Sequence, residues 1–214
     1  MSTSIRETPL LREITLDQIE ASAPSAVDEV TRVTARSIVD SVRTGGEAVL
    51  REYTTGLDGL SPSAPLVLDR AALERAAEGL SASTRQLLER TAERIRAFAT
   101  AQRDALSPLD VAVPGGRAGH EVVPIEAAGC YAPGGRYPLP SSVLMTAVTA
   151  KAAGMERVVV ASPNPKPIVV AAAAIAGADC LLTAGGAQAI AALAHGIPGL
   201  LDPVDVIVGP GNRW

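Results

Sequence analysis

The chain has 214 residues and a formal net charge of −4, with 47% hydrophobic residues but only 2% aromatics. That length fits one large domain or two small ones. The core must be built from Ala, Val, Leu and Ile, and the acidic balance argues against a general nucleic-acid binder. No run approaches the ~18 uninterrupted apolar residues of a membrane span, and Met1-Ser-Thr-Ser-Ile-Arg-Glu has no apolar leader region, so a cytoplasmic protein is expected. Cys130 and Cys180 read as reduced, buried thiols rather than a metal pair. His120 and His195 are too far apart in sequence to complete a zinc ligand set with them.

Residues 1–26 are polar, with a short turn around Leu16–Glu20. From Val27 the pattern turns helical: Val27, Val30, Thr34, Ile38 and Val42 fall on one face. Gly45-Gly46 ends this helix. A second helix, Glu47 to Thr54, buries Val49, Leu50 and Tyr53, and Gly56 closes it. Leu66-Val67-Leu68 reads as a short strand, and Asp69 caps a helix over Arg70–Glu78 that Gly79 ends. Ser83-Thr84-Arg85-Gln86 has the spacing of a capping box and predicts a helix to about Ala105. Its inward residues are expected to be Leu87, Leu88, Ile95 and Phe98. Residues 109–125 hold two β runs around Pro114-Gly115-Gly116, a hairpin in which His120 is exposed.

The stretch Gly129–Ser142 then reads as the end of a strand, a Gly-Gly loop and a helix start, with Ser141 or Ser142 as the cap. A helix over Ser142–Ala153, a strand over Arg157–Ala161, a helix over Ile168–Ala176, a strand over Asp179–Leu182, a helix over Ala187–His195 and a strand over Val204–Val208 follow. Each β–α–β step fits a parallel sheet with right-handed crossovers. The fold class is therefore α/β: a helical N-terminal segment followed by an open, mainly parallel Rossmann-like sheet with helices on both faces. The boundary is expected at 125/126, with residues 1–125 a helical segment bearing a hairpin and 126–214 a Rossmann-like domain.

Three loops follow strands in the second half: Pro133-Gly134-Gly135, Ala184-Gly185-Gly186-Ala187-Gln188 and Gly209-Pro210-Gly211-Asn212. In open α/β sheets, ligands sit beyond the carboxyl ends of the strands. Each loop lets a ligand approach the backbone closely, and each carries a polar or aromatic neighbour: Tyr131, Gln188 and Asn212. None is a G-x-G-x-x-G or Walker A loop. A small ligand, a nucleotide among them, is the expectation. Equally open from the residues alone are a core tyrosine at 131, a helix-start glutamine at 188 serving local N–H groups, and a turn asparagine at 212.

The ordered motifs Arg51-Glu-Tyr-Thr-Thr-Gly-Leu-Asp-Gly59, Ala92-Glu-Arg-Ile-Arg-Ala-Phe98, Gly129-Cys-Tyr-Ala-Pro-Gly-Gly-Arg136, Pro140-Ser-Ser-Val-Leu-Met145, Gly185-Gly-Ala-Gln-Ala-Ile-Ala-Ala-Leu193 and Gly209-Pro-Gly-Asn212 resemble the N-terminal half of the histidinol dehydrogenase family. The resemblance implies an NAD-dependent, zinc-assisted oxidation of L-histidinol through L-histidinaldehyde to L-histidine by a homodimer. By motif it carries cofactor contacts onto Tyr131, Gln188 and Asn212. It also implies that the catalytic residues and zinc ligands lie beyond Trp214, so none is expected in these 214 residues. The helical half, lacking the segments that complete it in the family, is expected to expose apolar surface and to associate. Departures are Leu57, where the family usually has Phe, and Arg136-Tyr-Pro-Leu139, where the Tyr is displaced. Two other readings stay open: a truncated, non-catalytic nucleotide-binding module, and a related NAD-dependent dehydrogenase of another polar alcohol.

Overall fold

The computed structural model describes residues 14–17, 27–134 and 137–211. Helix α1 (Glu29–Asp58) opens the described fold, its N-terminus capped by Asp28, whose carboxylate accepts from the Thr31 N–H. Gly46, at φ 60°, kinks it where Gly45-Gly46 was expected to end a helix. The chain recovers helical geometry and runs past Gly56 to Asp58, where left-handed Gly59 closes it. Gly56 thus sits inside the last turns, tolerated at a cost of about 1 kcal/mol relative to Ala.

Strand β1 (Val67–Asp69) leads into α2 (Arg70–Glu78), capped by Asp69 as its spacing predicts. Helix α3 (Ala82–Asp104) is capped two residues before the expected Ser83: the Ser81 hydroxyl accepts from the Thr84 N–H instead. Next come the hairpin strands β2 (Leu109–Val113) and β3 (Gly116–His120), and then β4 (Ala127–Tyr131). Helix α4 (Pro140–Val143) starts with Pro140 at its first turn, where the missing N–H costs nothing, and neither Ser141 nor Ser142 caps it. It runs through a π-helical turn (Leu144–Val148) into α5 (Thr149–Ala152). The chain ends with β5 (Arg157–Ala161), α6 (Pro167–Ala176), β6 (Cys180–Leu182), α7 (Gly186–His195) and β7 (Val206–Val208).

Five strands form one sheet in the order β1-β6-β5-β4-β7. The four strands of the second half are mutually parallel, and β1 joins the edge antiparallel to β6. The Thr183 N–H donates to the Leu66 carbonyl at 2.8 Å, and its hydroxyl reaches the Pro65 and Leu66 carbonyls, fastening that edge. A strand from the first 125 residues is therefore hydrogen-bonded into the sheet of the second half. The class expected from sequence, an open and mainly parallel α/β sheet with helices on both faces, is the class observed.

Strand alternation sorts the core into two layers. Ala128, Cys130, Val158, Val160 and Leu181 face α2, α3, α6 and the α4–α5 helix. Val159, Ala161 and Leu182 face α1 and α7. Gly129 faces the second layer, and Leu193 of α7 fills its space: a Cβ there would lie 3.0 Å from the Leu193 Cδ1. Helix and strand thus approach closely without large aromatic side chains. Of the residues expected to face inward from α3, Leu88 is buried, but Leu87 and Phe98 are 55% and 67% exposed. The periodic stripe on α3 is wider than the surface the described residues offer it.

Candidate functional site

The carboxyl ends of β4, β6 and β7 lie on one edge of the sheet, and their loops open onto a cleft of about 790 Å³. That size falls within the usual range of small-molecule sites. Tyr131 and Pro133 enter it from the β4 loop, Gly186, Ala187 and Gln188 from the start of α7, and Gly209, Pro210 and Gly211 from the β7 loop. The opposite wall is α1 and the residue before its cap: Val30, Thr34 and Ile38 line it from one helical face, Val27 just ahead of the helix, and Leu57 and Asp58 at the helix end. That face is the one the helical spacing predicts. Its first turns are not core, however: Val30 is 76% exposed, an apolar wall turned to the cleft.

The backbone of the cleft needs glycine at two places. Gly186 has φ +54°, and a side chain there would come within 2.8 Å of the Gln188 Oε1. Gly209 has φ +149°, and its Cβ would overlap the Tyr131 carbonyl oxygen. Both conformations are strained for residues with a side chain. The glycine loops therefore bring backbone to the cleft surface.

Tyr131 and Gln188, two of the three residues singled out from sequence, meet in this cleft. The Tyr131 hydroxyl accepts from the Gly186 N–H at 3.1 Å, while the side chain packs at the edge of the second core layer. Gln188 is only 2% exposed, and its Nε2 donates to both carboxylate oxygens of Asp58 at 3.3 and 3.2 Å. Asn212, the third, lies outside the described residues, as do Gly135 and Arg136.

Asp58 is the cleft residue that the sequence did not single out. Its carboxylate also accepts from the Gly185 N–H at 2.9 Å. Burial pushes its carboxyl above the usual value, and the Gly185 and Gln188 hydrogen bonds pull the other way. A signal was present: Asp58 is an acid in the last turn of α1, the end where the helix dipole disfavours negative charge. Its position makes sense at the N-terminus of α7, where the dipole favours it. Two N–H groups of the α7 start are thus already engaged by side chains.

Burial shifts both thiols away from the thiolate form. Burial pushes Cys130, near Thr146, and Cys180, near Asp179, to about 11, and both are free cysteines. His120 and His195 are exposed, with His195 in the last turn of α7. Among the described residues, no three His, Cys, Asp or Glu side chains come together in a way that could hold a metal ion. The described residues therefore do not fit zinc. They do fit an extended organic cofactor: an apolar trough, backbone laid open by glycine, and a few converging polar groups.

These features define the class: an open α/β protein with a ligand cleft across the carboxyl edge of its parallel strands. The histidinol dehydrogenase family model matches residues 21–214. The histidinol dehydrogenase of Pseudomonas syringae pv. syringae is 42% identical over 197 residues, covering 89% of this chain and 43% of that protein. That of Aromatoleum aromaticum is 41% identical over 201 residues, covering 91% and 44%. The crystal structure of histidinol dehydrogenase from Elizabethkingia anophelis superposes with a TM-score of 0.80 at 24% identity, over 94% of this chain and 47% of that one. This chain belongs to the histidinol dehydrogenase family, and it spans a little under half the length of the curated relatives it matches. Leu57, read from the sequence as a departure from the family pattern, lines the cleft.

Proposed function

We propose that this cleft binds NAD⁺ and that the chain forms the cofactor-binding part of a histidinol dehydrogenase. The reaction is the oxidation of L-histidinol through L-histidinaldehyde to L-histidine, with two NAD⁺ consumed, in a zinc-assisted homodimer. When bound, NAD⁺ supplies the hydride acceptor. This chain's own residues bind and orient it: Tyr131 through its ring and hydroxyl, Gln188 and Asn212 through their amides. The apolar wall of α1 excludes water from one side of the cleft. The base that takes the alcohol proton, and the zinc ligands, belong to the portion of the relatives that this chain does not match.

The observation that carries the reading is the convergence of the three glycine loops on one cleft. The test is calorimetric titration of the chain with NAD⁺, followed by NADH formation with L-histidinol and zinc. The assay is run with the chain alone and mixed with the C-terminal half of a full-length relative. Binding, with activity only in the mixture, is the expected result. Activity of the chain alone overturns the placement of the catalytic groups, and absence of NAD⁺ binding overturns the cofactor reading. Because Leu57 departs from the family within the cleft, a panel of other polar alcohols belongs in the same assay. Preference for one of them would make the protein a related dehydrogenase.

A further inference from the structure

We infer that Asp58 is a positioning residue, which orients the Gln188 amide so that the cleft presents a hydrogen-bond acceptor, the Gln188 Oε1, to a donor group on the ligand. The inference deepens the cofactor reading and rests on it for the identity of that ligand. An ionised carboxylate only accepts hydrogen bonds, so of the two ends of the Gln188 amide only Nε2 can face it. Nε2 does so, at 3.3 and 3.2 Å from the two oxygens. The other end is thereby turned over Gly186, with the Oε1 2.8 Å from where a Gly186 Cβ would stand. Gly186 lines the cleft and has no side chain to cover that oxygen. The hydrogen bonds of the Gln188 side chain among the described residues are both to Asp58, which leaves the acceptor for a ligand. A carboxamide N–H₂, an exocyclic base amine or a ribose hydroxyl would meet it.

Asp58 also reaches the loop directly. The Gly185 N–H donates to it at 2.9 Å, and a Cβ on Gly185 would lie 3.1 Å from the Asp58 Oδ1. One carboxylate at the end of α1 therefore sets both the path of the loop and the face of the amide. It stands 130 residues from Gln188 in sequence. An acid that merely stabilised α1 would be placed at the helix's other end.

The test uses the full chain and two variants. In Asp58→Asn the new amide keeps an oxygen for the Gly185 N–H and turns an N–H₂ toward residue 188, so Gln188 must flip to answer it. In the double variant Asp58→Asn with Gln188→Glu, the new carboxylate accepts from that N–H₂ and again shows an oxygen to the cleft. The Gln188 side-chain amide is followed by nitrogen-resolved NMR without ligand. Its protons exchange slowly in the wild type and about tenfold faster in Asp58→Asn, where they face the cleft. The NAD⁺ dissociation constant rises about tenfold in Asp58→Asn, the loss of one hydrogen bond from the ligand to the Gln188 Oε1, and recovers most of that in the double variant. The unfolding midpoint of Asp58→Asn is no lower than that of the wild type.

Unchanged exchange in Asp58→Asn overturns the inference. So does a lowered midpoint in both variants with no recovery of affinity, which would make Asp58 a loop anchor only. Slow wild-type exchange that speeds up in Asp58→Asn, in a chain that binds no NAD⁺, upholds the role of Asp58 and rejects the cofactor.

Discussion

Helices α6 and α3 are both rich in apolar residues, and they fare differently. From Val169 to Ala176, α6 is buried at every position except Ile175, held between the sheet and its neighbouring helices, so no face is left for water. Helix α3 buries Leu88, Ala92 and Ala99, while Leu87 and Phe98 on its other apolar positions stand in solvent. The exposed valines of the α1 start and of the β2–β3 hairpin belong with α3 in this respect. A helix that is apolar all round makes its own argument for burial. A helix with a broad apolar stripe needs a partner, and the described residues supply only part of one. We propose that self-association with a second copy of this chain covers this surface.

The sharpest way to break the contrast between covered and uncovered apolar residues is a truncation of each kind. Leu193→Ala removes a fully buried side chain that packs on Gly129. It should cost about 2–5 kcal/mol in denaturant unfolding, because the rigid sheet cannot collapse into the cavity. A loss below 1 kcal/mol, by the same estimate, would mean the layer is loosely packed. Gly209→Ala comes next, at about 1–3 kcal/mol, because the new Cβ meets the Tyr131 carbonyl oxygen and the backbone angle is unfavourable. It should weaken NAD⁺ binding more than it lowers the unfolding midpoint, since the strain falls at the cleft rim. Equal loss at an exposed site away from the cleft would remove that distinction. The smallest effect is expected from Phe98→Ser, within about 0.5 kcal/mol for the isolated chain. Its visible result is a shift toward monomer in sedimentation velocity. A monodisperse monomer in the wild type would show that the α3 stripe is not an interface of this chain.

Much of this fold is legible in the sequence because its signals are local. The strand over Arg157–Ala161 is built on three successive valines, Asp69 starts α2 by accepting from the Ala72 N–H, and Gly79 ends it through its backbone N–H. The errors fall where two local signals compete. Ser81 and Ser83 both offer a cap to α3, and the one that closes on Thr84 wins. Gly56 and Gly59 both offer an end to α1, and only Gly59 takes the left-handed conformation. Leu87 and Phe98 are apolar at helical spacing, but spacing says which residues share a face and not whether anything covers it.

The same limit divides the candidate site. Local chemistry by itself determined the three glycine loops, the strands they follow and their parallel direction, which carries the loops to one edge. Tyr131 and Gln188 were readable as their polar neighbours for that reason. What only the tertiary structure decided is the closing of the cleft by α1 and the meeting of Asp58 with Gly185 and Gln188. That contact joins residues about 130 apart in the chain, and no periodicity or motif spacing encodes it. It exists because α1 and α7 pack on the same face of the sheet, which brings the end of one helix against the start of the other.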